Sequence, residues 1–185
     1  NINRTDHSSK MTYLMYACEN HYDEIVKLLL KNDKIDVNKI CKENGSTALF
    51  FIFNENKNES EACKNIFEYL IDHNANCCLK DNDGWNMLMH SIMYKYNEIT
   101  TNLLDMNPKS IFDVTNNNSS VFMLIHKNSR QKKEVRNKIF GILEEHLDEY
   151  YPTVESQIST RFRNSAGVTL CIASYYGKSK IVNTL

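Results

Sequence analysis

The stretch TYLMYACENHYDEIVKLLL, residues 12–30, decides the fold. It holds an apolar run, a polar break and a second apolar run, and no residue poised for chemistry. Leu14 precedes Ile25 by eleven residues, and Ile25 opens a helix-period run through Val26, Leu28 and Leu29. The same pair recurs: Leu88 and Ile99 are eleven apart in GWNMLMHSIMYKYNEITTNLL (84–104), as are Leu170 and Ile181 in VTLCIASYYGKSKIVNTL (168–185). Three equal spacings in matching surroundings indicate a repeated two-helix unit.

Two further units appear once the joint between the helices is allowed to lengthen. Leu49 and Ile66 are seventeen apart, with the excess in the polar stretch NENKNESEACKN (54–65), and Leu124 and Ile139 are fifteen apart, with the excess around KNSRQKKEVRNK (127–138). Insertions in a polar connection cost little chain entropy. The anchors Leu14, Leu49, Leu88, Leu124 and Leu170 are thus 35, 39, 36 and 46 residues apart. Five units follow, over about 8–41, 43–80, 82–116, 118–161 and 164–185.

These residues resemble ankyrin repeats over essentially the whole chain. The first unit is similar to the family's T-P-L-H-x-A-A-x-x-G-H-x-E-I-V-x-L-L pattern at Thr12, Leu14, Ala17, Glu24, Ile25, Val26, Leu28 and Leu29, and NANCCLKDNDGWNML (74–88) resembles its connecting finger. The resemblance implies an all-α helix-turn-helix solenoid with finger loops, 1–185 forming a single array. The matches have physical sense. Thr12, Thr47 and Asn86 can cap a first helix. Gly45 and Gly84 close the finger, where a positive φ is cheap for glycine. Ala17, Ser91 and Ala173 are small where neighbouring helices approach.

The departures shape the expectations. The family's proline is replaced by Tyr13, Ala48, Met87, Met123 and Thr169, and its histidine by Met15, Phe50, Met89, Ile125 and Cys171, so the family's hydrogen-bond network at that turn should be lost. In this register Phe122 and Val168 remove the cap, and the fourth and fifth units are expected to be the least regular. INRTD (2–6) resembles the finger VNKIC (37–41), and KIVNTL ends inside a second helix, so the array is expected to continue in both directions in a longer polypeptide.

Composition narrows the function. Twenty-two basic residues against 23 acidic ones leave a net charge of −1, which provides no global field toward nucleic acid or anionic membranes. The longest apolar run, ALFFIF (48–53), falls far short of the ~20 residues of a spanning helix, so a soluble chain with no membrane insertion is expected. Six cysteines without C-x-x-C spacing read as free thiols in a reducing, cytoplasmic setting.

Candidate chemistry is thin. Cys77 and Cys78, with His73 nearby, occupy finger positions that packing explains, and Cys18 and Cys171 read as core, so no metal, cofactor or redox centre is expected. His90 and His126 fall where the resemblance places exposed residues, and no catalytic constellation can be assembled. Five glycines write no phosphate loop. The basic run 126–138, with Arg130, Lys132, Lys133 and Arg136, reads as a solvated lead into a helix.

The resemblance implies protein recognition on the concave face made by finger tips and first helices. Its positions are Ser8, Ser9, Met11, Glu19 and Asn20 in the first unit, and Glu43, Asn44, Ser46, Asn54 and Glu55 in the second; both sets are mainly polar. The third unit presents Asn82, Asp83, Trp85, Met93 and Tyr94, and later units add Val121, Tyr175 and Tyr176. Trp85, the sole tryptophan, flanked by Tyr and Met, has the composition of an interface hot spot, or else it folds over its own finger. Tyr150, Tyr151 and Phe162, near or within the register-breaking segment 146–163, could meet a partner or dock on the stack. The expected role is a non-enzymatic, monomeric scaffold binding a partner protein. The second reading is a regulatory or substrate-positioning segment of a larger enzyme or channel, docking in cis.

Overall fold

The computed structural model describes residues 1–54, 58–127 and 133–150. Seven α-helices occur among them: α1 (Tyr13–Glu19), α2 (Asp23–Leu30), α3 (Glu61–Asp72), α4 (Met87–Tyr94), α5 (Asn97–Met106), α6 (Val121–Lys127) and α7 (Lys133–Tyr150). Helices α1 and α2 pack against each other, as do α4 and α5, and Phe122 of α6 meets Phe140 of α7 with ring centroids 6.1 Å apart. In the second unit the first helix is reduced to a 3₁₀ turn, Phe50–Ile52, that precedes α3. The apolar run ends there at Asn54, and Phe and Ile are weaker helix formers than Leu or Ala. The Thr47 hydroxyl, which would cap a longer helix, is buried without a partner.

Elsewhere the caps work. Thr12 Oγ1 accepts from the Met15 amide at 3.2 Å, Asn86 Oδ1 from the Met89 amide at 2.9 Å and Ser120 Oγ from the Met123 amide at 3.4 Å. Ser120 corrects the register of the fourth unit: the cap is present, and Phe122, not Leu124, occupies the position of Leu14 and Leu88. Leu124 is buried as well, which gave it the look of the anchor. The turn network expected to be lost is replaced. The Thr12 amide donates to Met15 Sδ at 3.3 Å, and Asn86 Nδ2 donates to the Ser110 carbonyl and to Asp113 Oδ2.

Each finger closes two residues before its cap with a positive φ, at Lys10, Gly45, Gly84 and Asn118. Successive fingers are laced together: the Asn82 amide donates to the Asn44 carbonyl, and the Asn116 amide to Asp83, each at 2.9 Å. Behind them Asn3 and Asn38 bridge to the following unit, each donating through Nδ2 and accepting at Oδ1. Cys78 stands in for this asparagine at the end of the second unit, where Asn107 Nδ2 of the third donates to its sulfur at 3.4 Å.

The core runs along the stack between paired helices, from Leu14 and Val26 through Leu49, Ile66 and Leu70 to Leu88, Ile99, Phe122 and Ile139. Burial of this continuous face holds the units together, since none is large enough to fold alone. The expected core run of the first unit splits. Val26 and Leu30 are buried, whereas Ile25 (47%) and Leu28 (66%) face outward with Tyr13 and Tyr22. At the equivalent positions of the third unit Met87, Tyr96 and Ile99 are buried, because the second unit covers them.

The polar insertion after Ile52 also has a place in the stack. Glu59, at its far end, accepts from the Glu98 and Ile99 amides at 3.1 and 2.8 Å and so caps α5, whose own N-cap residue, Tyr96, offers no side-chain bond. A carboxylate at a helix N-terminus satisfies orphan donors and opposes the positive end of the dipole. Glu59→Ala is expected to cost about 1 kcal/mol in urea denaturation, with Glu59→Gln losing less than half of that. Equal stability of wild type and alanine variant would show that the contact contributes nothing.

Candidate functional site

Four of the residues singled out in the third unit converge. Asp83, Trp85, Met93 and Tyr94, joined by Asp81 and His90, line a pocket of about 460 Å³ between the finger and α4. His90, Met93 and Tyr94 share one helical face because they are three and four residues apart. The finger brings the rest. Asp81 Oδ1 accepts from the Asp83 and Trp85 amides at 3.0 and 2.9 Å, which folds the tip, and Oδ2 accepts from His90 Nε2 at 2.9 Å, which ties the tip to α4.

His90 is therefore not the exposed surface residue expected. It lies in an aromatic cluster: Phe50 edge-on at 5.2 Å, Phe53 stacked at 6.3 Å, Trp85 at 5.4 Å and Tyr94 at 6.2 Å between ring centroids. Phe50 and Phe53 come from the buried 3₁₀ turn of the second unit and the residue after it, so the cluster around His90 spans two repeats. Burial pushes the Asp81 carboxyl up, but the bonds from His90 and from the finger amides outweigh it and hold it below the usual carboxylate range.

Trp85 is half-buried and packs against the core edge, as do Met93 and Tyr94. Of the residues one before each cap, Met11 and Ser46, expected at the surface, are buried, while Trp85 and Ser119 are half-buried. Asn82 is exposed at the finger tip beside the pocket, its amide engaged by Asn44 and its Nδ2 donating to the Glu43 carbonyl at 3.3 Å. Val121 does not belong to the surface. It is the first residue of α6, fully buried, and the two-residue shift of the fourth-unit register is the reason. Tyr175, Tyr176, Tyr151 and Phe162 lie outside the described residues, as do Arg130, Lys132 and Glu55.

Asp81 and His90 are the site residues that the sequence reading missed. One signal was available, since His90 is one helical turn ahead of Tyr94. The partnership with Asp81 depends on the finger folding back and has no local signature.

The site has little to offer catalysis. All the hydrogen bonds of Asp81 hold the finger, and no Ser, Thr or Cys stands among the lining residues to act as nucleophile for His90. Among the described residues no group of three or more His, Cys, Asp or Glu side chains could hold a metal. His73 Nδ1 is engaged by the Tyr69 carbonyl, and burial with the neighbouring Cys78 pushes the Cys77 thiol up, away from the thiolate a metal requires. Lys138, at the end of the basic run, is spent within the stack on Asp105 at 2.6 Å. No described helix is long and apolar enough to cross a membrane.

Stacked helix pairs with laced fingers define a helical repeat solenoid, a class that presents a continuous face rather than an enclosed cleft. The family model for ankyrin repeats, in three copies, matches residues 1–60 and 14–118, and the chain belongs to the ankyrin repeat family. No match was found among curated proteins. Ankyrin repeats are in general protein-interaction modules and are typically non-catalytic.

Proposed function

We propose that this chain is a non-enzymatic recognition module whose partner protein docks on the concave face of the third unit, over Trp85, Met93 and Tyr94 with Asn82 and Asp83 at the rim. One observation carries this reading: half-buried aromatic and thioether side chains from a finger and from α4 meet around one open pocket, with exposed polar residues at the finger tip beside it. Binding energy concentrates in such anchors, while polar rims tune specificity. No disulfide joins the five described cysteines to one another, which supports a reducing compartment.

Trp85→Ala combined with Tyr94→Ala is expected to leave helical circular dichroism intact and to weaken partner capture about tenfold or more. Capture from lysate by wild type and double variant, compared by quantitative mass spectrometry, checks this. A folded double variant with an unchanged capture profile would sink the reading.

A second reading is a regulatory or substrate-positioning segment that docks in cis within a larger chain. The exposed Tyr13, Tyr22, Ile25 and Leu28 on the outer side of the first unit favour it, being an apolar face of the kind that another packed element covers.

A further inference from the structure

We propose that the third-unit pocket receives a cationic side chain, lysine or arginine, from the docked protein; this rests on the recognition surface proposed above and names its chemistry. Three features lead there. The formal charges lining the pocket are the carboxylates of Asp81 and Asp83, and neither Lys nor Arg lines it. Of the two cations adjacent in sequence to the lining residues, Lys80 is bound to Asp113 at 2.5 Å, and Lys95, exposed just beyond α4, does not line the pocket. The two carboxylates also differ in what they can still bind. Asp81 is satisfied by His90 and two amides, whereas the exposed Asp83 carboxylate accepts from no described donor and is left for a ligand.

The walls suit the same guest. Trp85 and Tyr94 are half-buried, each with its ring centroid within 6.2 Å of that of His90, and indole and phenol faces attract a cation within about 6 Å of the ring centroid. Met93 supplies an apolar, adaptable surface for the aliphatic stem that lysine and arginine both carry. An acidic side chain would meet two carboxylates at close range. A purely apolar one would leave Asp83 desolvated without a partner.

Peptide pools with one fixed central residue and degenerate flanks test this on the full chain. The pools carry arginine, lysine, citrulline, norleucine or glutamate at the centre and are passed over immobilised protein at low and high salt. Trp85 emission is followed in solution, where the only tryptophan reports on the pocket itself. The arginine and lysine pools should be retained about tenfold better than citrulline and norleucine, lose that margin at high salt and shift Trp85 emission. Asp83→Asn should remove most of the preference.

Equal retention of all pools, preference for norleucine or glutamate, or cationic retention indifferent to Asp83→Asn overturns the proposal. If partner capture then still depends on Trp85 and Tyr94, the recognition surface stands and its guest is of another kind. If capture is also unchanged in the double variant, the surface itself has failed.

Discussion

Tyr96→Ala is expected to be among the most damaging single substitutions in the described array, costing about 3–5 kcal/mol. Tyr96 is fully buried where α4 turns into α5. Its ring is met edge-on by Phe53 at 5.2 Å and His21 at 6.4 Å, and its hydroxyl lies 3.4 Å from both backbone polar atoms of Asn54. Removing it opens a void where the second unit, its insertion and the third unit meet. Tyr22 is the internal control: it holds the same place in the first unit, is exposed, and on replacement by alanine should change stability by at most about 0.5 kcal/mol. Urea denaturation of the two variants side by side checks the contrast, and similar losses would refute it.

The same residue predicts an alkaline limit. Burial, and secondarily the Cys63 thiol, push the Tyr96 hydroxyl from 10.0 up to about 12. The unfolded chain then gives up this proton at lower pH than the folded chain, so the contribution is intact below pH 10 and declines from there toward 12. Tyr96→Phe should flatten that part of the profile.

Gly45→Ala is the second large effect, expected at about 2–4 kcal/mol from a positive φ together with overpacking. The φ of +76° is only part of the reason, because Lys10 and Asn118 adopt positive φ at the equivalent finger positions. What singles out Gly45 is the next finger. A Cβ there would lie 2.4 Å from Asn82 Oδ1 and 2.8 Å from the Asn82 amide nitrogen, the atom that donates to Asn44. The side-chain oxygen can swing away, but the amide cannot move without breaking the lace between fingers. Asn118→Gly should instead be neutral or stabilising by less than about 1 kcal/mol. Thermal denaturation of the pair distinguishes this account from one in which any finger residue tolerates a side chain.

The repeat was legible because it is a statement about period. Leu14 and Ile25 recur as Leu88 and Ile99, and burial of a common face forces that recurrence. Register was legible only where the cap stood beside its anchor. In the fourth unit both Phe122 and Leu124 are buried, so an apolar count alone cannot choose between them; Ser120 decides through one hydrogen bond to Met123. The shortened helix at Phe50–Ile52 escaped for a related reason, since a 3₁₀ turn and an α-turn bury nearly the same residues.

For the site, the family resemblance placed Asn82, Asp83, Trp85, Met93 and Tyr94 on one face, and composition singled out Trp85. Sequence could not show that His90 would sit inside an aromatic cluster. Two of its partners, Phe50 and Phe53, come from the preceding unit, and Asp81 reaches it only through the fold of the finger. Position within one repeat describes the surface of an isolated unit, whereas burial in a stack belongs to the pair.

The cap that Glu59 gives to α5 bears on how such an array can be rebuilt. Repeats are often treated as interchangeable parts, cut at the finger and rejoined in any order. Here the third repeat draws the start of its second helix from a loop that belongs to the repeat before it, so the part that can be moved without damage is the pair, and a graft or exchange that separates them takes away half of a joint.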